Sequence, residues 1–239
     1  MKKAIIIGAS SGIGRALAKT LAADGYQLGL VARRLELLKE LQQEIGAENS
    51  LVRRIDLSDL QQALPQFSEL LDAMAPVDLI IISAGLGFIN PELEWDREQQ
   101  TIAVNVSGFS AIAGLAMLTF IRQGYGHLLN ISSLAALRGS GSAPAYNASK
   151  AYESNYLQGL RQKAARLRLP ITVTDIQAGF VDTAMAQGEG LFWVASPAEA
   201  ARQIHTAIRR KASHAYVTRR WRLIAWLFKL LPDALYHQL

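Results

Sequence analysis

The feature that most constrains the fold lies near the start of the chain, where an apolar run leads through a glycine-rich turn into a helical pattern. Residues 4–7 indicate a buried strand and residues 13–24 a helix. Glycines at such a turn let the backbone approach a phosphate, and the helix N-terminus adds N–H donors. Any tight turn requires glycine, but this position between a strand and a helix favours a phosphate site. Its candidate ligands are Gly8, Ser10, Ser11, Gly12, Ile13 and Gly14.

The rest of the chain alternates short apolar runs with longer helical patterns. A run as apolar as 78–82 suits a strand buried on both faces. We therefore predict an α/β fold, a single-domain doubly wound Rossmann fold whose mostly parallel sheet of about seven strands is flanked by helices. The predicted strands cover 4–7, 27–32, 51–55, 77–83, 126–132, 171–177 and 215–218, and the predicted helices cover 13–24, 35–45, 60–74, 97–123, 145–167 and 197–211.

Composition narrows the range of functions. The chain has 239 residues, half of them hydrophobic, which is ample for a buried core. It has no cysteine, which excludes disulfides, thiolate zinc sites and thiol nucleophiles, and its four histidines lie far apart, so we predict no metal site. The net charge of +5 suits an ordinary basic enzyme, an anionic ligand, a membrane surface or nucleic acid. No nucleic-acid-binding motif accompanies the charge, so we predict no nucleic-acid partner.

The end of the second predicted strand indicates which nucleotide the turn binds. An acidic residue there would bind a ribose 2′-hydroxyl, but this chain has Ala32. Arg33 and Arg34 follow, and a guanidinium binds a 2′-phosphate through charge-assisted hydrogen bonds. The alternative is that both arginines are solvated residues at the start of a helix. We predict NADP(H) as the cofactor, with Arg33 as the main contact and Arg34 as a second one.

A tyrosine and a lysine lie four residues apart in the helical pattern at 145–167. This offset puts Tyr146 and Lys150 on one face of a helix. A tyrosine side chain has an unperturbed pKa of about 10, and a nearby ammonium favours its phenolate form. Such a pair can give a proton to a carbonyl oxygen, although the same spacing also occurs on helix surfaces without any chemistry.

Together these motifs resemble the short-chain dehydrogenase/reductase family, in its compact single-domain branch, over roughly residues 3–211. The resemblance rests on the G-x-x-x-G-x-G turn and the Y-x-x-x-K pair. It implies that Tyr146 is the acid/base and that Lys150 assists it and binds the nicotinamide ribose. It also implies that Ser133, thirteen residues before the tyrosine, polarises the substrate carbonyl. Asn105 matches the family asparagine that bends its helix and holds a water molecule beside the lysine.

The resemblance also assigns residues that follow other strands. Ile82 and Ser83 replace two asparagines that the family usually has, and Ala178 replaces a usual proline. These departures affect a structural hydrogen bond and the stiffness of a turn. The further cofactor contacts that the resemblance implies, besides Tyr146 and Lys150, are Asp56, Leu57, Ala84, Gly85, Gly179, Val181 and Thr183.

The region after Thr183 is expected to bind the substrate. Beyond it, a basic segment with arginines at 219, 220 and 222 precedes an apolar stretch at 223–228 that is too short to span a bilayer. This tail can lie in a membrane interface, dock on the enzyme body or contact a second subunit, and we favour the last two. Four side chains are candidates either for an apolar substrate pocket or for ordinary packing: Leu134, Met185, Phe192 and Trp193.

We predict an NADP-dependent oxidoreductase that interconverts a carbonyl and an alcohol by hydride transfer. Its small-molecule substrate is expected to be hydrophobic or lipid-like, because relatives with basic, aromatic tails act on such carbonyls. The alternative is a regulator that binds NADP(H) without turnover. Residues 1–211 are assigned to the NADP(H)-binding catalytic domain and 212–239 to an extension of that domain. The resemblance implies a homodimer or homotetramer. The expected location is the cytoplasm, with the tail as the element that would contact the inner face of a membrane.

Overall fold

One parallel sheet organises the chain. The computed structural model describes residues 1–183 and 192–236. The strands in these ranges all run parallel, in the order β3-β2-β1-β4-β5-β6-β7. The order reverses between β1 and β4, which confirms the doubly wound architecture. The strands are β1 (Lys3–Ile7), β2 (Gln27–Ala32), β3 (Ser50–Arg54), β4 (Leu79–Ile82), β5 (Gly126–Ser133), β6 (Ile171–Ala178) and β7 (His214–Val217).

Helices cover both faces of the sheet. One core holds side chains of α1, α2 and α7, and the other holds side chains of α3, α5 and α6. Short 3₁₀ turns occupy Ala47–Asn49 and Leu134–Leu137. The α-helices are α1 (Gly12–Ala23), α2 (Leu35–Ile45), α3 (Leu60–Met74), α4 (Trp95–Ile102), α5 (Phe109–Gln123), α6 (Pro144–Leu167), α7 (Pro197–Arg209), α8 (Trp221–Leu230) and α9 (Asp233–Tyr236).

The side chains of each central strand alternate between these two cores. In β1, Ala4 and Ile6 enter the core beneath α1, α2 and α7, whereas Ile5 and Ile7 enter the core beneath α3, α5 and α6. This alternation follows from the two-residue period of a strand. Because both faces are buried, such a strand appears in the sequence as a continuous apolar run. β4 is such a run, whereas β5 and β6 also carry buried polar side chains, among them Asn130 and Asp175.

The glycine turn packs tightly at the point where the strand order reverses. Gly8 has a φ of +93°, and a Cβ on it would lie 2.5 Å from the backbone nitrogen of Ala84. A Cβ on Gly14 would lie 2.2 Å from the carbonyl oxygen of Gly8. The turn therefore contacts the loop after β4, and α1 rests directly on the turn. Glycine is required at both positions by close packing.

The helix predicted at 97–123 is interrupted. α4 ends at Ile102, a π-helical segment runs from Ala103 to Gly108, and α5 begins at Phe109. Such widened turns occur often at functional sites, and Asn105 lies inside this one. The whole segment Trp95–Gln123 is long and apolar enough to cross a membrane, but half of its most apolar window is buried in the fold. Its apolar character is accounted for by the core.

The residues after α7 complete the sheet and then return to the enzyme body. β7 pairs with β6, and α8 follows directly. Trp221 and Ala225 of α8 are buried in a small core with Leu134. The opposite face of α8 is exposed: Leu223 is 70% and Trp226 is 65% exposed. One face of the C-terminal segment therefore docks on the enzyme body.

We expect Gly14→Ala to destabilise the protein by roughly 1–3 kcal/mol, the usual cost of overpacking a core. The new Cβ would collide with the Gly8 carbonyl oxygen at 2.2 Å. Gly159→Ala is the matched control, because Gly159 lies inside α6 with nothing within 4 Å of its Cβ position. It should stabilise the protein by about 0.5–1 kcal/mol. Urea unfolding of both variants measures the difference, and equal effects at the two positions would contradict the packing described.

Candidate active site

The glycine turn and Arg34 form the anion-binding side of the candidate site. Nη2 of Arg34 donates hydrogen bonds to Ser10 Oγ at 3.0 Å and to Ser11 Oγ at 2.7 Å. Ser11 is the N-cap of α1, but its side chain makes no capping hydrogen bond. The first-turn N–H groups of α1 therefore stay open toward a ligand. A guanidinium beside an uncapped helix N-terminus fits the phosphates of a dinucleotide.

Three other residues predicted to contact the cofactor are Arg33, Asp56 and Leu57. The side chain of Arg33 is exposed, and it is Arg34 rather than Arg33 that contacts the turn. Asp56 Oδ1 accepts hydrogen bonds from the backbone N–H and the hydroxyl of Ser58 at 3.0 and 2.8 Å. Leu57 is buried, and a Cβ on Gly108 would lie 2.8 Å from it. Leu57 therefore packs against the π-helical segment.

The segments after β4 and β6 converge on the turn. A Cβ on Gly12, whose φ is +56°, would lie 3.0 Å from Thr183 Cγ2. Val181 is buried and pairs in a parallel bridge with Ala195. On the other side, Ala84 meets Gly8 as described above. Gly8, Gly12, Ala84 and Thr183 thus meet at the reversal point of the sheet, where the strand ends form a crevice.

Gly179 is required for a reason that the sequence did not reveal. A Cβ on this residue would lie 2.2 Å from Nε1 of Trp221 in α8. The Gly179 backbone N–H also donates to the Val217 carbonyl at 2.5 Å. Although Ala178 replaces the usual proline, this turn is held by the C-terminal segment that packs upon it.

Tyr146 and Lys150 lie on α6 against the loop after β4. A Cβ on Gly87 would lie 2.5 Å from Cδ2 of Tyr146, and a Cβ on Gly85 would lie 3.2 Å from Nζ of Lys150. Nζ of Lys150 is 5.9 Å from the centre of the Tyr146 ring. The predicted acid/base pair thus shares one helix face and borders the crevice that the glycine turn enters.

The two serines at the end of β5 differ in environment. Ser132 is buried and donates a hydrogen bond to Asp175 Oδ1 at 2.5 Å. Ser133 points to the opposite face and is only partly buried. Its hydroxyl accepts from the Ala135 N–H at 3.1 Å and donates to the Ala178 carbonyl at a long 3.4 Å. Of the two serines, Ser133 is therefore the more exposed, and its hydroxyl donates only a long hydrogen bond.

Asn105 joins three elements around Lys150. It is fully buried, and its Nδ2 donates to the Leu86 carbonyl at 2.7 Å and to Ser149 Oγ at 2.9 Å. Its Oδ1 accepts from the Leu86 N–H at 2.8 Å. The side chain thus ties the π-helical segment to the loop after β4 and to α6. The water that the resemblance implies at this position stays a prediction.

A buried ion pair lies directly beneath the site. Nζ of Lys150 is 2.9 and 3.0 Å from the two carboxylate oxygens of Glu153. Burial acts to lower the pKa of Lys150, but the neighbouring Glu153 and Tyr146 outweigh it and the pKa is raised overall. Burial raises the pKa of Glu153, and the Lys150 ammonium offsets only part of that increase.

Aromatic side chains form one wall beyond the crevice. The ring of Phe192 lies 5.0 Å from that of Trp221 and 6.1 Å from that of Phe180. Trp193 packs 5.7 Å from Trp221, and Leu134 belongs to the same small core as this tryptophan. Leu134, Phe192 and Trp193, which are candidates for an apolar pocket or for ordinary packing, thus lie around Trp221. Met185 and residues 184–191 lie outside the described residues.

Arg138 fastens the C-terminal segment to the loop that follows Ser133. Its Nε donates to the Phe228 carbonyl at 3.0 Å, its Nη1 to Asp233 Oδ1 at 2.6 Å, and its Nη2 to the Leu231 carbonyl. Tyr236 adds a ring contact 5.3 Å from the guanidinium. The substrate side of the site is therefore built partly from the end of the described chain.

Sequence reasoning missed three of these residues. The pairing of Glu153 with Lys150 could have been predicted, because a carboxylate three positions after a lysine lies on the same helix face. Trp221 and Arg138 act through contacts with residues far away along the chain, and no local pattern indicates such contacts.

Comparison with known proteins identifies relatives of this chain. A family model described as "short chain dehydrogenase" matches residues 2–191. A protein from Mycobacterium tuberculosis described as an uncharacterized oxidoreductase is 31% identical over 244 aligned positions, which cover 98% of this chain and 95% of that protein. A mouse (Mus musculus) 3-oxoacyl-(acyl-carrier-protein) reductase is 30% identical over 188 positions, with 78% of each chain covered.

A solved structure shares the fold. The alcohol dehydrogenase from the archaeon Thermococcus sibiricus, complexed with 5-hydroxy-NADP, superposes with a TM-score of 0.80. The two chains are 24% identical, and the match covers 90% of this chain and 95% of the other.

Proposed function

The chain belongs to the short-chain dehydrogenase family, and we propose that it is an NADPH-dependent oxidoreductase that interconverts a carbonyl and an alcohol with Tyr146 as acid/base. The observation that carries the proposal is the contact of Tyr146 and Lys150 with the loop after β4, beside the glycine turn. The mouse relative, described as a 3-oxoacyl reductase, supports a carbonyl substrate. The alternative, a regulator that binds NADP(H) without turnover, would use this pair at most to hold the cofactor and would not need Tyr146 as an acid/base.

Four polar residues of the site, Tyr146, Ser133, Lys150 and Asn105, have a part in this reaction. In the reducing direction, the Tyr146 hydroxyl donates its proton to the carbonyl oxygen of the substrate, and Ser133 Oγ donates a hydrogen bond to the same oxygen. The Lys150 ammonium favours the phenolate that Tyr146 becomes. Asn105 holds the loop after β4 against α6. Bound NADPH would supply the hydride.

The preference for NADP(H) over NAD(H) rests on the end of β2. Ala32 offers no carboxylate to a ribose 2′-hydroxyl, and Arg34 is anchored to Ser10 and Ser11. Arg33 lies exposed beside it, so two guanidinium groups are available to a 2′-phosphate. The NADP derivative bound to the archaeal alcohol dehydrogenase agrees with this preference.

The exposed face of α8 supports contact with an anionic lipid surface. Trp226 and its neighbours on this face follow a spacing of three and four residues, which makes one continuous apolar stripe. Exposed arginines precede the stripe, and residues 219–232 contain no acidic side chain. Such a helix suits the interface of a membrane with anionic headgroups. The exposed apolar residues are Leu223, Trp226, Leu227 and Leu230, and the arginines are Arg219, Arg220 and Arg222.

This contact would bring the aromatic wall around Trp221 close to the lipid surface, which favours a hydrophobic or lipid-like carbonyl substrate. We propose a cytoplasmic enzyme whose α8 contacts the inner face of a membrane. The absence of cysteine agrees with a reducing compartment. By analogy with the family, we also propose a homodimer or homotetramer.

Tyr146→Phe should reduce turnover with NADPH and a carbonyl substrate by more than the ~10²–10⁴-fold typical of general acid catalysis. NADPH binding, measured by fluorescence titration, should persist because the ring remains. The matched control is Tyr152→Phe, an exposed tyrosine on the same helix that contacts Ser110. Near-normal turnover in Tyr146→Phe would refute the mechanism. A wild-type protein that binds NADPH but reduces no ketone or aldehyde in a panel would instead support the regulator.

Removing both guanidinium groups, in Arg33→Ala/Arg34→Ala, should raise KM for NADPH about tenfold or more, because hydrogen bonds to charged groups contribute about 1.5–3 kcal/mol. The kcat/KM for NADH should change little, since NADH has no 2′-phosphate. Arg122→Ala, an exposed arginine on α5, serves as the control. KM for NADPH in the single variants Arg33→Ala and Arg34→Ala shows which arginine contributes more to NADPH binding. A wild-type kcat/KM for NADH equal to that for NADPH would overturn the cofactor assignment.

The full chain should float with vesicles of phosphatidylcholine and phosphatidylglycerol at low salt, and should not float with phosphatidylcholine alone. Leu223→Ser/Trp226→Ser/Leu227→Ser should abolish flotation, because it removes the apolar stripe. Leu118→Ser, at an exposed leucine of α5, should float as the wild type does. If no vesicle binds but the wild type forms a dimer that the triple variant loses, the exposed face contacts a second subunit and the membrane proposal fails.

A further inference from the structure

Glu153 is a buried carboxylate for which the proposed reaction has so far no use. It lies three residues after Lys150 on α6, and the two side chains are 1% and 4% exposed. Both carboxylate oxygens lie within 3.0 Å of Nζ. An ionised carboxylate in such a position is costly unless it is paired and hydrogen-bonded, so its presence requires an explanation.

The sheet holds this carboxylate in place. Asn130 of β5 is also buried, and its Nδ2 donates a hydrogen bond to Glu153 Oε2 at 2.8 Å. The next residue, Ile131, presents its carbonyl oxygen 3.4 Å from Nζ of Lys150. The ammonium therefore has acceptors on α6 and on β5. Because the donor to Glu153 comes from a central strand, the carboxylate is oriented by the sheet as well as by Lys150.

A second carboxylate lies near Glu153. Asp175 of β6 is in register with Asn130 and lies on the same face of the sheet. It accepts a hydrogen bond from Ser132 and raises the pKa of Glu153 together with the larger effect of burial. The charged groups that act on Glu153 are Lys150 on α6 and Asp175 on β6; Tyr146 faces Lys150, and Arg161, further along α6, faces Asp175. The facing polar groups of β5, Asn130 and Ser132, are neutral.

We propose that Glu153 is a positioning residue, which holds the Lys150 ammonium in place and offsets its charge, so that Tyr146 keeps its proton and serves as an acid. This rests on the proposed role of Tyr146. An unpaired ammonium 5.9 Å from the tyrosine ring would draw the phenol toward phenolate. With a carboxylate against the same Nζ, the pair presents less net charge at that distance than the ammonium alone. Glu153 thereby favours the proton-donating form, which the reducing direction requires.

Glu153→Gln keeps the shape and a hydrogen-bond acceptor for Lys150 but removes the negative charge. It should move the pH midpoint of tyrosinate formation at Tyr146 downward by roughly one pH unit or more, as a unit charge at this range would. The measurement is an ultraviolet pH titration of the protein without cofactor. Subtracting the same titration of the Tyr146→Phe forms isolates this tyrosine from the others.

Two variants separate charge from structure. Glu153→Asp keeps the charge and should restore most of the wild-type midpoint. Asp175→Asn removes a buried carboxylate that binds Ser132 rather than Lys150, and should shift the midpoint less. If Glu153→Gln does not fold, Asn130→Ala releases one carboxylate oxygen and should shift the midpoint in the same direction by a smaller amount. An unmoved midpoint in the folded variants would overturn the proposal.

Kinetics provide a second readout. The alkaline limb of the pH profile of kcat/KM for carbonyl reduction should move to lower pH in Glu153→Gln, by the shift seen in the titration. A kcat reduced equally at every pH would indicate a merely structural role and would contradict the proposal. A wild-type enzyme that reduces no carbonyl would refute the proposed function instead, and the tyrosinate titration would still decide the role of Glu153.

Discussion

Burial of the sheet on both faces determines where chemistry can take place in this protein. The central strands contact apolar cores above and below, and the glycine turn and the loop that follows β4 begin where these strands end. All strands in the described residues are parallel, and their carboxyl ends share one edge. At the point where the strand order reverses, Gly8 contacts Ala84 so closely that no side chain fits between them. That contact places the glycine turn against the loop after β4, which Tyr146 and Lys150 also approach.

Local patterns predicted the fold and the motif residues because they encode strand period, turn chemistry and helix spacing. They did not predict the π-helical segment, because the apolar residues continue through Ala103–Gly108 without a visible break. The contact of Arg34 with Ser10 depends on which way two neighbouring side chains turn, and their order in the sequence does not determine that. The packing of Trp221 on Gly179 joins distant segments, so a residue predicted to border the cofactor also supports the C-terminal helix.

The inner face of α6 combines two kinds of polar group. Asn105 and Ser149 form neutral hydrogen bonds that join the helix to its neighbours. Lys150 and Glu153 add opposite charges that are almost fully buried. A neutral network orients groups at little electrostatic cost, whereas a buried pair also sets the charge that a neighbouring tyrosine experiences. Family resemblance identifies the lysine, but the charge at the site depends equally on its partner.

The attachment of the C-terminal segment to Arg138 has a consequence for the order of folding. The hydrogen bonds that Arg138 makes to Phe228 and Asp233 span 90 and 95 positions of sequence. These contacts cannot form until α8 and the residues that follow it have been synthesised. During synthesis the glycine turn and the central strands leave the ribosome well before α8 does. The nucleotide side of the crevice can therefore assemble first, and the wall around Trp221 is completed only when α8 arrives.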